Sequence, residues 1–229
     1  MLRVAEVFQS IQGEGQFTGT PSVFLRTTGC NLRCWFCDTP YTSWEPEGTQ
    51  RPWTEVLDEV LAFDCDHVVI TGGEPLIQPN IVPLSAELKH ANKIITVETA
   101  GTVYRPVIAD LMSVSPKLNN STPSTQRSER WATRHAARRI NRAVLQQLAE
   151  EYRSQFKFVI DHPEDLAEVE DFLTLSPAIS RSQVWLMPQA RSVAEIREKE
   201  EWLEPLARER GFSYSSRLHI ELFGNVRGT

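Results

Sequence analysis

The chain of 229 residues has no apolar run long enough to span a membrane, and its four cysteines are too few and too unevenly placed for a disulfide framework. Its opening segment, MLRVAEVFQSIQGEG, carries charges and glycines where a secretory signal needs an unbroken apolar stretch, so the cytoplasm is the expected compartment. Positive charge is short as well: 24 Lys and Arg stand against 30 Asp and Glu, a formal net charge of -6. That balance argues against a broad nucleic-acid surface, which works by displacing counterions with clustered cations. One local exception is the arginine-dense run RSERWATRHAARRINR at 127–142, which reads first as a solvated helix face and second as an anion or partner site. With 41% hydrophobic and 24% charged residues, the rest suits one globular domain over residues 1–229.

Two apolar, β-branched segments come first, at 4–11 and 22–27, joined by the glycine-rich QGEGQFTGTP. Helical periodicity follows in WTEVLDEVLAF at 53–63, with Val56, Leu57, Val60, Leu61 and Phe63 as candidate core positions. A theme then repeats. HVVITGGEP, KIITVETAGT, LMSVSPKLNN, FKFVIDHPED and QVWLMPQARS each begin as a buried strand and end in polar residues, with helical stretches such as IVPLSAELKHA between them. Continuous apolar strands alternating with helices predict an α/β fold, a mostly parallel sheet with outer helices. Fewer than eight such units are present, so a partial barrel or open curved sheet is expected. Residues 119–134 read as a loop entering the arginine-rich helix, and the tail LHIELFGNVRGT reads as a strand with a polar end. Thr71, Glu74, Glu98, Ser115, Lys117, Asp161, His162 and Gln189 all fall at predicted carboxyl ends of strands, the rim where α/β folds place their sites.

Three of the cysteines lie within eight residues, Cys30, Cys34 and Cys37, in a C-x3-C-x2-C spacing. Soft thiolates select iron–sulfur or zinc, and structural zinc normally takes four protein ligands. Three thiolates can instead hold three irons of a [4Fe–4S] cube and leave one iron open to chelate the amino and carboxylate groups of S-adenosylmethionine. Cys65 stands apart and reads as a small buried hydrophobe, although it or a histidine could supply a fourth ligand. Trp35 and Phe36 between the cysteines suggest an apolar wall shielding the cofactors. Gly73 and Glu74 in TGGEP suggest close backbone approach to a ligand and a carboxylate for its ammonium. Gln12, Gly13, Glu14 and Arg26 flank the cysteine loop and offer the donors, acceptors and guanidinium fork that suit a pterin-like ring bearing a carboxylate.

The stretches EVFQSIQGEGQFTGTPSVFLRTTGCNLRCWFCDT at 6–39, VVITGGEPL at 68–76, VETAGT at 97–102 and SVSPKLN at 113–119 resemble those of the 7-carboxy-7-deazaguanine synthases, a family of the radical S-adenosylmethionine superfamily. The FKFVI and HIELFGNVRGT segments add to the likeness. The resemblance implies a lyase that converts 6-carboxy-5,6,7,8-tetrahydropterin into 7-carboxy-7-deazaguanine and ammonia, on the route to queuosine and related deazapurines. It further implies an incomplete (β/α) barrel, a homodimer, a Mg2+ requirement, and electron delivery from a flavodoxin or ferredoxin. By the same likeness Cys30, Cys34 and Cys37 match cluster ligands and Thr39 a Mg2+ ligand. Ile11, Gln12, Gly13, Glu14, Arg26, Thr71 and Thr229 match substrate positions. Phe36, Cys37, Asp38, Gly73, Glu74, Ser115, Pro116 and Lys117 match S-adenosylmethionine positions. Two other readings fit the cysteines alone: a glycyl-radical activating enzyme and a zinc-stabilised binding protein.

Overall fold

A computed structural model describes residues 1–229. Its strands are β1 (Leu2–Ile11), β2 (Pro21–Thr27), β3 (Thr49–Arg51), β4 (His67–Gly72), β5 (Ile94–Thr99), β6 (Leu111–Val114), β7 (Ser154–Ile160), β8 (Val184–Pro188) and β9 (Ser213–Tyr214). They form one nine-stranded sheet in the order β3-β1-β2-β4-β5-β6-β7-β8-β9. From β2 to β9 every pairing is parallel, while β1 runs antiparallel to both β2 and β3. The edge strands β3 and β9 do not meet, so the sheet is an open, incomplete barrel, as the sequence predicts.

The helices are α1 (Pro40–Ser43), α2 (Trp53–Leu61), α3 (Ile81–His90), α4 (Thr125–Arg138), α5 (Arg142–Glu151), α6 (Asp165–Thr174), α7 (Val193–Glu209) and α8 (Leu218–Phe223). Each longer helix buries a stripe at helical spacing: Val56 and Val60 on α2, Ile81, Leu84 and Leu88 on α3, Leu166, Val169 and Phe172 on α6. Side-chain caps fix several starts. Asn141 accepts from the Val144 N–H, and Ser192 with Glu195 makes a capping box on α7. One apolar cluster of 33 buried residues runs from Leu2 to Phe212.

Three expectations differ from the structure. The arginine-rich helix begins at Thr125, inside the segment read as a loop; Ser124 caps it, and a non-helical Ser128 kinks it. The tail is not a strand. Leu218, Ile220 and Leu222 alternate as in a strand, yet only Ile220 is buried in α8, and the Leu218 N–H docks the segment onto the Gly13 carbonyl at 3.0 Å. Finally, the chain crosses from β5 to β6 without a helix, through irregular residues 100–110 that include Pro106. No helix is long and apolar enough to cross a membrane.

Candidate active site

The carboxyl ends of the parallel strands and the loops beyond them enclose a cavity of about 470 Å³, a size suited to a small molecule. Ile11, Gln12, Gly13, Glu14, Arg26, Cys30, Cys34, Phe36, Cys37, Asp38, Thr39, Thr71, Gly73, Ser115, Lys117 and Thr229 all line it. Pro116 is buried behind Ser115 and Lys117. Of the other polar strand ends, Glu98 and Gln189 reach the cavity. Asp161 and His162 do not: Asp161 is taken by Lys199 at 2.5 Å, and His162 is exposed.

The cysteine loop leaves β2 and folds over one end of this cavity. All four cysteines are free. Burial pushes the Cys30 and Cys34 thiols up to about 12, so iron bound there would have to displace their protons. The Leu32 N–H approaches Cys30 Sγ at 3.4 Å, and the Ser43 hydroxyl lies 3.2 Å from Cys37 Sγ, hydrogen bonds of the kind that tune thiolate ligands. No three His, Cys, Asp or Glu side chains converge closely enough to hold a single ion. Three thiolates on one loop match the three protein ligands of a cube with one open iron, whereas structural zinc takes four. A fourth protein ligand is missing at the loop. Cys65 sits before the amino end of β4, with Sγ 3.3 Å from the Pro21 carbonyl. The six residues of β4 span about 20 Å at 3.3 Å per residue, and they separate it from the cavity rim. His135 lies beside the loop with both ring nitrogens engaged, Nδ1 accepting the Arg33 N–H at 3.1 Å and Nε2 meeting Ser121 Oγ at 2.9 Å.

Two expected roles in this half change. Phe36 forms part of the wall, but Trp35 is 40% exposed on the outer side, its indole N–H donating to the Asn120 carbonyl at 2.6 Å. Glu74 is wholly buried behind the wall. Its carboxylate accepts from the Leu76 N–H at 3.1 Å, the Thr99 hydroxyl at 2.8 Å and the Ala100 N–H at 2.8 Å, so it staples the strand ends and is not offered to an ammonium. Gly73 does belong to the wall. A Cβ there would run into the Gly29 and Thr42 carbonyls, which is why the cysteine loop can lie against the end of β4.

The other half of the cavity is a buried ionic lattice. Lys157 Nζ on β7 contacts Glu14 at 2.7 Å and Glu98 at 3.6 Å. Arg217 contacts Glu14 at 3.2 Å and also pairs with Asp38. Glu98 accepts from Gln12 Nε2 at 3.2 Å and from the Thr71 hydroxyl at 2.8 Å. Burial alone would raise the Glu14 carboxyl; Lys157, Arg217 and His219 together hold it far below the usual carboxylate range. Burial likewise disfavours charge on Lys157, yet Glu14 and Glu98 leave its ammonium harder to deprotonate than usual. His219 on α8 is pushed down by burial. Gly13 lacks the Cβ that would collide with the His219 ring. At the mouth, Arg26 Nε donates to Glu6 at 2.7 Å, and Glu6 also takes Tyr41 OH at 2.7 Å and Arg227 Nε at 3.1 Å. Lys157, Arg217, His219 and Arg227 were not among the sequence candidates. The only signals are the polar strand interior of SQFKFVI and three basic residues, Arg217, His219 and Arg227, in or just before a tail that reads as a strand.

Comparison with known proteins bears on the family. The Radical SAM superfamily model matches residues 24–175. A 7-carboxy-7-deazaguanine synthase of Rhodopirellula baltica is 47% identical over 229 residues, covering 100% of this chain and 89% of that one. One from Halobacterium salinarum is 43% identical, covering 100% and 93%. The crystal structure of QueE from Escherichia coli superposes with a TM-score of 0.69 over 95% of this chain and 94% of that one; at 24% identity it speaks for the fold alone. With three free cysteines on a parallel-sheet cavity and full-length relatives at these identities, the chain belongs to the 7-carboxy-7-deazaguanine synthase family of the radical S-adenosylmethionine superfamily.

Proposed function

We propose that the chain contracts the ring of 6-carboxy-5,6,7,8-tetrahydropterin to give 7-carboxy-7-deazaguanine and ammonia. The observation that carries this reading is the meeting, in one cavity, of three free cysteines without a fourth ligand and a wall of matched charges. Such a wall favours a small polar substrate over the protein segment that a glycyl-radical activating enzyme must admit.

When bound, the [4Fe–4S] cluster and S-adenosylmethionine would supply one-electron hydrogen-atom chemistry, and Mg2+ a Lewis acid for the substrate carboxylate. Cys30, Cys34 and Cys37 would hold the cluster. Asp38, Gly73, Ser115 and Lys117 line the adjoining wall and would position S-adenosylmethionine, with Lys117 Nζ held by Ser115 Oγ at 2.7 Å. The Thr39 hydroxyl is one oxygen only, and Asp38 is already paired with Arg217. Mg2+ there would need oxygens from the substrate carboxylate and water, which makes its binding substrate-dependent. Gln12 and Glu14 present an amide and a fixed carboxylate to the donor and acceptor edge of the pterin. Arg26 would leave Glu6 to fork the substrate carboxylate, since Glu6 keeps Tyr41 and Arg227 as partners. Phe24, Leu32, Phe36, Val159 and Met187 keep water from the space between.

The same reading has residues 1–229 acting as a single domain, as a homodimer in the cytoplasm, fed by a flavodoxin or ferredoxin. An anaerobic assay of reconstituted protein with dithionite, S-adenosylmethionine, Mg2+ and the tetrahydropterin tests it. Deazaguanine product of the right mass is expected, together with its loss in Cys30→Ala, Cys34→Ala and Cys37→Ala and loss of the brown cluster colour. Cleavage of S-adenosylmethionine without that product would overturn the substrate and leave the cluster standing.

A further inference from the structure

The arginine-rich run finds its place on the outside of the cysteine loop. Of its six arginines only Arg139 is ion-paired, to Glu168, and the run contains a single carboxylate, Glu129. Arg127, Arg130, Arg134 and Arg138 are all exposed. Beyond the kink at Ser128, positions 130, 134 and 138 recur at helical spacing along one face of α4. The chain as a whole carries -6, so this is a positive island on a negative molecule.

The helix is fastened to the loop that carries the cysteines. His135 Nδ1 accepts the Arg33 N–H at 3.1 Å, and the Arg33 guanidinium lies 4.0 Å over the Trp131 ring. The lead-in to α4 takes the backbone N–H of Trp35 on the Ser121 carbonyl at 3.1 Å and its indole N–H on Asn120. Arg127 stacks 3.7 Å over Trp44, whose indole N–H donates to the Cys34 carbonyl at 2.9 Å. The exposed Arg191 lies 3.5 Å from both the Trp35 and the Cys37 carbonyls. An exposed indole between two of the three loop cysteines thus has Arg191 beside its backbone and sits on the loop to which the arginine-bearing α4 is fastened.

We propose that the α4 arginine face, with Arg191, docks an acidic one-electron carrier protein and brings its redox group against Trp35. This rests on the reading of the cysteine loop as a cluster site. The carrier is oxidised by one electron and the cluster reduced by one; no atom or proton changes hands. Charge complementarity is the ground for choosing this occupant. A second copy of this chain would bring mostly negative charge but no electron. A nucleic acid would find too short a cationic strip on a repelling surface.

The test uses full-length reconstituted protein and an acidic flavodoxin as the probe. One variant joins Arg130→Glu, Arg134→Glu and Arg138→Glu, none of which lines the cavity; a second replaces the same three by Lys. Flavodoxin affinity and the rate at which reduced flavodoxin bleaches the cluster are expected to fall about ten-fold or more in the Glu variant, and the salt dependence to flatten. The Lys variant should behave as wild type. Bleaching by dithionite should be unchanged in both, which separates docking from damage to the loop. Unchanged flavodoxin affinity and rate in the Glu variant would overturn the proposal, whether or not that variant loses self-association or RNA binding. Failure of wild type to make deazaguanine with dithionite, with flavodoxin-driven bleaching intact, would count against the substrate and not against the docking face.

Discussion

Glu14 is the residue on which the cavity's charge balance turns, because Lys157 and Arg217 both lean on it from opposite sides. Its side chain is 15% exposed and that of Lys157 only 4%. Glu14→Gln would leave two buried cations short of a partner and is expected to cost about 3–5 kcal/mol, read as a shift in a urea midpoint. The pH dependence follows from its carboxyl, which is held below the ordinary 4.5. The stability it contributes is present in full above that value and is lost as pH falls through the lower folded value. The gap between wild type and Glu14→Gln should therefore be widest near neutrality and close in acid; a gap that widened on acidification would refute the ion-pair account. The sequence shows Glu14 plainly, in a glycine-rich loop beside the cysteines. It could not show the partners, which lie 143 and 203 positions away and are joined to it only by the sheet.

Among the elements, the crossing of the β4 end with the cysteine loop tolerates the least change. Gly73→Ala would set a methyl group against two backbone carbonyls, and backbone cannot swing aside as a side chain can. A loss of about 3 kcal/mol is expected, with poor cluster reconstitution even in the folded fraction, measured as iron per chain. The α4 anchor predicts a milder effect. Trp131→Ala removes the ring under Arg33 and should hasten loss of the cluster in air, while Trp131→Phe, which keeps a stacking face, should hold it. The buried strands were legible because both faces are apolar: β4 is buried from His67 to Thr71 and β6 throughout. The tail helix was not, since six residues with alternating apolar positions fit either period. Glu74 was misplaced for a related reason, since sequence gives the end of a strand but not the side of the wall its carboxylate takes.

Across the whole molecule, the cavity draws its walls from residues 11 to 229, and its mouth is closed by a latch. Arg227 bridges Glu6 at 3.1 Å and Glu47 at 2.8 Å and lies 4.0 Å over the Tyr41 ring. These pairs are partly exposed, so Arg227→Ala should leave the melting temperature almost unchanged. It would also hand Glu6 back to Arg26, so KM for the tetrahydropterin should rise about three- to ten-fold with kcat little altered. An unchanged KM would remove the latch from the binding scheme. The dominance of one apolar cluster of 33 residues predicts one cooperative unfolding transition, checked by agreement of calorimetric and van't Hoff enthalpies. The order of the parts along the chain also has a consequence in time. Cys30 to Cys37 precede their α4 cover, Thr125–Arg138, by about ninety residues, or roughly 5–20 s of synthesis at 5–20 residues per second. The Arg217 partner of Glu14 follows roughly 10–40 s after it at the same pace. The nascent thiols thus stand open to iron, to competing metals and to oxygen before the helix can close over them. A cell making this protein has to manage that interval by keeping the loop reduced until the cover arrives.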